Sequence, residues 1–469
     1  MSRPVLVAWM RAACVALALV LSGCGGDGSV GSGGTGAPVS GLAVGTVTGF
    51  GSVIVDGVPY DDVDAAAVVE DAPGIDTRTE ARLGHRVEIG LDEGGAVRTL
   101  RLDGAVRGRI ARVTPASLQF VVLEQTVQVV QDPALGPVTS FGGGFTGFAS
   151  LAPGDLVDVH GVVVPQGASA VIQATRIDPI GLPAFVRVSG LVSSLTPGTF
   201  RLGALTIDHR GGAVVPAGVP LQAGQAVTVL APPSAFVDDT LAAAQVRIKA
   251  VPPEGGSVQV SGPIASLDVG ARTFFVDRQR VDYGATDFAP PAGSPPPYVR
   301  VRGPLAADGT LRATEVVVRD ARGGGAQAEL RGNIHDVDPA GRTFIVRNET
   351  VAYGQATPTG CPDPLADGLF VELTGRLSPT GVIADVLRCL RIEPPEGVHE
   401  RRGTASQVSL AARTFRLTLD SGQDVTVAWN AATLFRDLPP EALDGQRLHV
   451  EGVQAGQRLV ARTVRLAPR

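Results

Sequence analysis

The chain has 469 residues, among them 60 Gly and 35 Pro but only 4 % aromatics, and its formal net charge is −6. That charge balance argues against phosphate backbones, so no nucleic-acid partner is expected. So few aromatics exclude the girdled strands of a membrane-spanning barrel, and helical periodicity is almost absent.

Arg3 and Arg11 flank a short apolar run, Ala12 to Leu21, which is too short to span a bilayer and leads into Leu21-Ser22-Gly23-Cys24. The quartet resembles a bacterial lipobox. The resemblance implies a signal peptide over residues 1–23 and Cys24 as a lipidated mature N-terminus. With Gly25 rather than Asp next, it also implies sorting to the outer membrane of a Gram-negative cell. The expected partner is therefore the membrane, reached through three acyl chains, which exceed the two signals that stable anchoring requires. Without residues 1–23 the chain keeps 38 basic and 46 acidic residues, a net −8, and Lys249 is its single lysine. Residues 24–42 read as a Gly/Ser-rich flexible tether.

Beyond the tether one phrase recurs about six times. A strand with an opening glycine (Gly45, Gly108, Gly190, Gly262, Gly332, Gly403) leads to a Thr-Phe step, as in Arg272-Thr273-Phe274, Arg342-Thr343-Phe344 and Arg413-Thr414-Phe415. An alternating strand ending in glycine follows, as in Val157-Asp158-Val159-His160-Gly161 and Leu448-His449-Val450-Glu451-Gly452. A closing strand ends each copy, as in Ala461-Arg462-Thr463-Val464. The opening glycines lie 63, 82, 72, 70 and 71 residues apart. The copies occupy 43–104, 105–180, 185–251, 257–320, 328–394 and 400–469. Period-2 alternation and dense Gly/Pro punctuation predict an all-β fold, a tandem array of about six small antiparallel OB-like or Greek-key β-barrels. Each unit is large enough to close its own core, so modest interfaces between barrels in a row are expected.

The first copy opens Gly45-Thr46-Val47-Thr48-Gly49-Phe50-Gly51-Ser52-Val53-Ile54-Val55-Asp56-Gly57-Val58. This segment, with its echoes downstream, resembles the repeated domain of unknown function of bacterial lipoproteins built from small OB-like β-barrels. The resemblance implies envelope placement and no catalytic residues.

Candidate sites are few. Cys361 and Cys389, both in the fifth copy, read as a disulfide in an oxidising envelope, worth roughly 3 to 4 kcal/mol; two free thiols or half a metal site are the alternatives. Tyr283, Tyr353 and Trp429 share one position in copies four to six. They form either a stacking face for a sugar or peptide or a plug at the barrel end. Asp56, Asp61, Asp62 and Asp64 could serve calcium but lack the 12-residue loop with its terminal Glu, so a solvated turn is the plainer reading. Gly142-Gly143-Gly144 and Gly323-Gly324-Gly325 read as anion nests or as loops.

His85, His160, His209, His335, His399 and His449 show no metal-ligand spacing. Neither a Gly-x-Ser-x-Gly elbow nor a His-Glu-x-x-His helix is present, so neither an enzyme nor a cofactor is expected. Two function classes stay open. One is a non-catalytic envelope lipoprotein that binds glycan, peptide or protein. The other is an envelope enzyme or accessory with a site at a barrel junction.

Overall fold

Apolar residues at every second position put one face of each strand inside, and the sixth copy shows the outcome. Its strands Val398–Ser409, Thr414–Leu419 and Asp424–Ala428 pair antiparallel in sequence, and Arg447–Ala455 pairs with both the first strand and Arg458–Leu466. A parallel pairing of Thr426 to Ala428 with Arg458 to Val460 closes the ring. The strand order 1-2-3-5-4-1 is that of an OB-like Greek-key barrel. Copies two, four and five repeat the parallel closure between third and fifth strands, at Thr126↔Val171, Val281↔Leu311 and Val351↔Val382. The protein is all-β, an array of small β-barrels. No helix among the described residues is long and apolar enough to cross a membrane.

The computed structural model describes residues 41–469 except 61–65, 93–94, 134–136, 167–168, 250–255, 292–295, 307, 320–326, 391–397, 431–432, 437, 456–457 and 468–469. The expected signal peptide, Cys24, Asp61, Asp62, Asp64, Gly323-Gly324-Gly325 and nearly all of the tether lie outside these residues.

The recurrent glycines answer to backbone crowding. A Cβ on Gly403 would sit 2.2 Å from the Thr418 carbonyl oxygen, and one on Gly452 would sit 2.3 Å from that of Val460, where the register of the fourth strand shifts. A five-stranded barrel must coil its strands this sharply, and glycine lets two backbones touch. Gly49 serves a different contact. Its Cβ would lie 2.2 Å from the Glu329 carbonyl oxygen, because the end of the strand Gly41–Phe50 runs parallel against copy five at Glu329 and Leu330. The start of the same strand pairs parallel with Ser257 to Val260 of copy four.

Strand pairing between copies corrects the expectation of barrels in a row. Copies one and five share one apolar core and copies two and three share another, while copies four and six keep their own. Copies two and three also join through Val106↔Val188. A barrel of roughly seventy residues buries a marginal core and leaves polar strand edges, so fusion with a neighbour gains apolar burial and satisfies those edges.

Hairpin tips make the second kind of joint. The turns between second and third strands hold left-handed residues, Asp56 and Gly57 in copy one, Asp277 in copy four, Arg347 and Asn348 in copy five. Each tip is buried in a neighbouring barrel. Asp56 accepts from Thr46 N at 2.9 Å and from the Tyr298 hydroxyl of copy four at 2.8 Å. It is therefore a satisfied interface group and not the calcium ligand considered from sequence. Asp277 accepts from Val163 N of copy two at 2.9 Å and pairs with Arg278 at 2.9 Å and Arg86 of copy one at 3.4 Å. Arg278 reaches Asp103 at 3.0 Å, and Asp103 also holds Lys249 of copy three. The chain's only lysine thus sits in the joint of four copies, where burial and Arg278 push its ammonium down to about 8.

Cys361 and Cys389 are joined, with an S–S distance of 2.15 Å, and they tie the loop ahead of the fourth strand of copy five to the end of its fifth.

Candidate functional site

The repeated aromatics are interior. Tyr283, Tyr353 and Trp429 are 2 %, 5 % and 9 % exposed, and each packs on the phenylalanine of the Thr-Phe step, with centroids 5.4, 5.5 and 6.0 Å apart. The Arg of that step takes a left-handed turn, and its carbonyl accepts from the aromatic residue's N–H at 3.0, 2.9 and 2.9 Å. Arg272 and Arg342 then lay their guanidinium groups over the tyrosine rings at 5.3 and 5.4 Å. The Arg-Thr-Phe phrase and the distant aromatic are one device that plugs a barrel end. The binding-face alternative is corrected: no exposed ring is left for stacking.

The best-formed concavity is a cavity of about 340 Å³ where copies one, five and six meet. Copy one contributes Phe50, Gly51 and Ser52 of its opening motif together with Arg78 and Glu80; copy five contributes Arg347 and Asn348; copy six contributes Asn430, Leu434, Glu451 and Arg462. The lining carries both charges. Arg347 pairs with Glu451 at 2.6 Å, and Glu80 meets Arg82 at 3.2 Å and Arg436 at 3.5 Å. Burial raises the Glu451 carboxyl, with Arg347 opposing. Buried Asn348 Oδ1 has no hydrogen-bond donor among the described residues, and Glu80 Oε1 meets only the Arg436 guanidinium, in the 3.5 Å ion pair. The cavity therefore offers acceptor atoms beside an apolar wall of Val53, Leu100 and Val460.

Histidines that are far apart in sequence meet in space. His85 and His160 stack at 4.4 Å between copies one and two. Three of their four nitrogens have partners: His85 Nδ1 accepts from Arg82 N at 3.0 Å, His85 Nε2 meets Asp178 at 3.1 Å, and His160 Nδ1 accepts from Arg86 N at 3.2 Å. Burial lowers both imidazoles, His160 to about 3, with His85 beside it adding to the shift.

Between copies five and six, His335 and His449 lie at 4.6 Å in edge contact. The Nε2 atoms are 3.1 and 3.2 Å from Glu400 Oε2, and the side chains are 5 %, 2 % and 2 % exposed. Burial alone would raise the Glu400 carboxyl, yet the two imidazoles against it hold it far below the usual range. No metal-ligand spacing is visible in the sequence because these residues belong to three strands of two copies, which only the packing brings together. Only His449, between Leu448 and Val450, carries a local signal, polarity among apolar neighbours; Glu400 is hidden in the polar run His399-Glu400-Arg401-Arg402.

The model of the Domain of unknown function (DUF5666) matches residues 107–178 and 402–465. These segments fall within copies two and six, whereas the Gly-Phe-Gly-Ser motif lies in copy one. No curated protein sequence matches. Among solved structures, CusF from Escherichia coli with Ag(I) is 12 % identical, covering 16 % of this chain and 100 % of its own, at a TM-score of 0.14. Its Cu(II) form is also 12 % identical, covering 16 % and 99 %, at 0.14. A segment of Drosophila Unr is 15 % identical, covering 44 % of this chain and 96 % of its own, at 0.14. In this chain a domain of unknown function recurs within a larger set of β-barrels.

Proposed function

We propose that the protein is a non-catalytic cell-envelope lipoprotein whose fused barrels serve as a binding scaffold, with the cavity between copies one, five and six as its ligand site. The observation that carries this reading is that cavity, with Asn348 Oδ1 left without a hydrogen-bond donor and Glu80 Oε1 held only by a 3.5 Å ion pair with Arg436 in its surroundings. Such under-satisfied acceptors suit a ligand rich in hydroxyl or amine groups. A cavity of about 340 Å³ fits a sugar or a short peptide end.

The enzyme alternative draws support from the convergence of Glu80 and Glu451 on one cavity, but both carboxylates are held in ion pairs with arginines. A general acid or base must be free to exchange its proton, which favours binding over turnover.

The test is a thermal-shift and calorimetric screen of soluble envelope glycan and peptide fragments against the mature chain. A ligand of this site loses at least tenfold in affinity to Glu80→Ala and leaves the chain unmodified. Binding unaffected by Glu80→Ala would move the site elsewhere, and consumption of the fragment would restore the enzyme reading. The address has its own check: Cys24→Ala should shift the protein from the membrane to the soluble fraction, and unchanged fractionation with an unchanged acylated mass would remove the lipoprotein assignment.

A further inference from the structure

We propose that His335 Nε2, His449 Nε2 and Glu400 Oε2 are the protein ligands of one divalent transition-metal ion, of the zinc or copper class, held between copies five and six. The ligand atoms lie within 4.8 Å of one another, and both nitrogens are 3.1 to 3.2 Å from the carboxylate oxygen. Tetrahedral ligands at about 2.0 to 2.1 Å from an ion stand roughly 3.3 Å apart, so both imidazole–carboxylate spacings already fit, while the widest spacing, within 4.8 Å, has to close on the ion by side-chain movement.

Orientation separates this cluster from an ordinary hydrogen-bonded set. Despite those distances, His335 Nε2, His449 Nε2 and Glu400 Oε2 are all buried without a hydrogen-bond partner. The atoms converge within ion-pair distance but at angles that make poor hydrogen bonds. The His85–His160 pair, built from the same residue type at another joint, has three of its four nitrogens engaged by backbone N–H groups and Asp178.

His335 sharpens the case. Its Nδ1 is 3.4 Å from Asp336 Oδ2 while Nε2 faces Glu400, so a neutral ring has one proton for two carboxylates. With a cation at Nε2 the proton belongs on Nδ1, which lies 3.4 Å from Asp336 Oδ2 at an angle too poor for a hydrogen bond, and Arg402 holds that oxygen at 2.9 Å. Glu400 Oε1 accepts from Arg347 N, leaving Oε2 for the ion. Two imidazoles and one carboxylate suit zinc or copper; calcium and magnesium require six or more oxygens.

Arg465 opposes binding. It donates to His449 Nδ1 at 2.7 Å, which places that ring's proton on Nε2 in the ion-free form. Metal binding moves the proton to Nδ1 and breaks this contact, so Arg465 weakens the site.

The experiment titrates Zn²⁺, then Cu²⁺, into the full mature chain, tag-free and stripped with chelator, by calorimetry and by metal analysis after desalting. The expected result is one equivalent per chain, at least a hundredfold weaker in Glu400→Gln and tenfold weaker in His449→Gln, with His85→Gln unchanged. Arg465→Met should bind several-fold tighter. That variant keeps all three ligands, so the inference stays testable if the ligand variants misfold by near-ultraviolet circular dichroism. Absence of an equivalent in folded wild type and in Arg465→Met, or full retention in folded Glu400→Gln, overturns the site.

Discussion

Replacing Arg86 with Ala is expected to lower the unfolding free energy by about 3 to 5 kcal/mol, the range for breaking a buried ion pair from one side. Arg86 is fully buried, and its guanidinium donates to Thr46 Oγ1 at 3.2 Å, to the Ser261 carbonyl at 3.1 Å and to Asp277 at 3.4 Å. Truncation strands two acceptors, removes one of the two arginines on Asp277 and leaves a void where copies one and four meet. Arg86→Lys keeps the charge but lacks the fork that spans three acceptors, so it should fall between wild type and Ala. Denaturant midpoints at constant slope measure the loss. A change below 1 kcal/mol in Arg86→Ala would show that the joint between copies contributes little.

Acid should destabilise the protein strongly between pH 6.5 and 3, and the fall should begin above about pH 5, before most carboxylates titrate. The His160 imidazole has its pKa lowered from 6.5 to about 3, chiefly by burial, and a proton on Nδ1 would collide with the Arg86 N–H directed at it. Because the folded value lies below the unfolded one, the unfolded chain binds a proton that the folded chain refuses. Stability therefore falls as pH drops through that window, by roughly 4 kcal/mol at pH 3 from this residue. His85 and His449, also lowered chiefly by burial, act with the same sign. Asp56, Glu349 and Glu451, raised by burial, act in the opposite direction and offset part of the loss. Urea midpoints across pH should slope by up to one proton less in His160→Gln. A flat profile between pH 6.5 and 4 in wild type would contradict the buried neutral pair.

Much of the fold was legible in the sequence because it depends on local rules. Alternation, the Thr-Phe step and the paired glycines predict five short strands closing on themselves, and the glycines sit where backbones approach to 2.2 and 2.3 Å. The Tyr283, Tyr353 and Trp429 position was visible as a pattern but not as a place: periodicity gives spacing, whereas the phenylalanine beneath each ring decides that it faces inward.

What only the tertiary structure decided lies between copies. No local signal says that the strand Gly41–Phe50 will pair with two other barrels, or that the tips at Asp56, Asp277 and Arg347 will be buried in neighbours, since a charged turn is ordinarily solvated. The cavity and the His335, Glu400 and His449 cluster belong to the same class of fact. The three cluster residues are at least 49 residues apart in the chain and the cavity draws on three copies, and only the packing of closed barrels, each too small to bury its edges alone, brings these parts together. The sequence by itself determined the barrel, through the short-range sterics of strand, turn and glycine. The tertiary structure decided the sites, because they form from polar groups that the barrels leave at their joints.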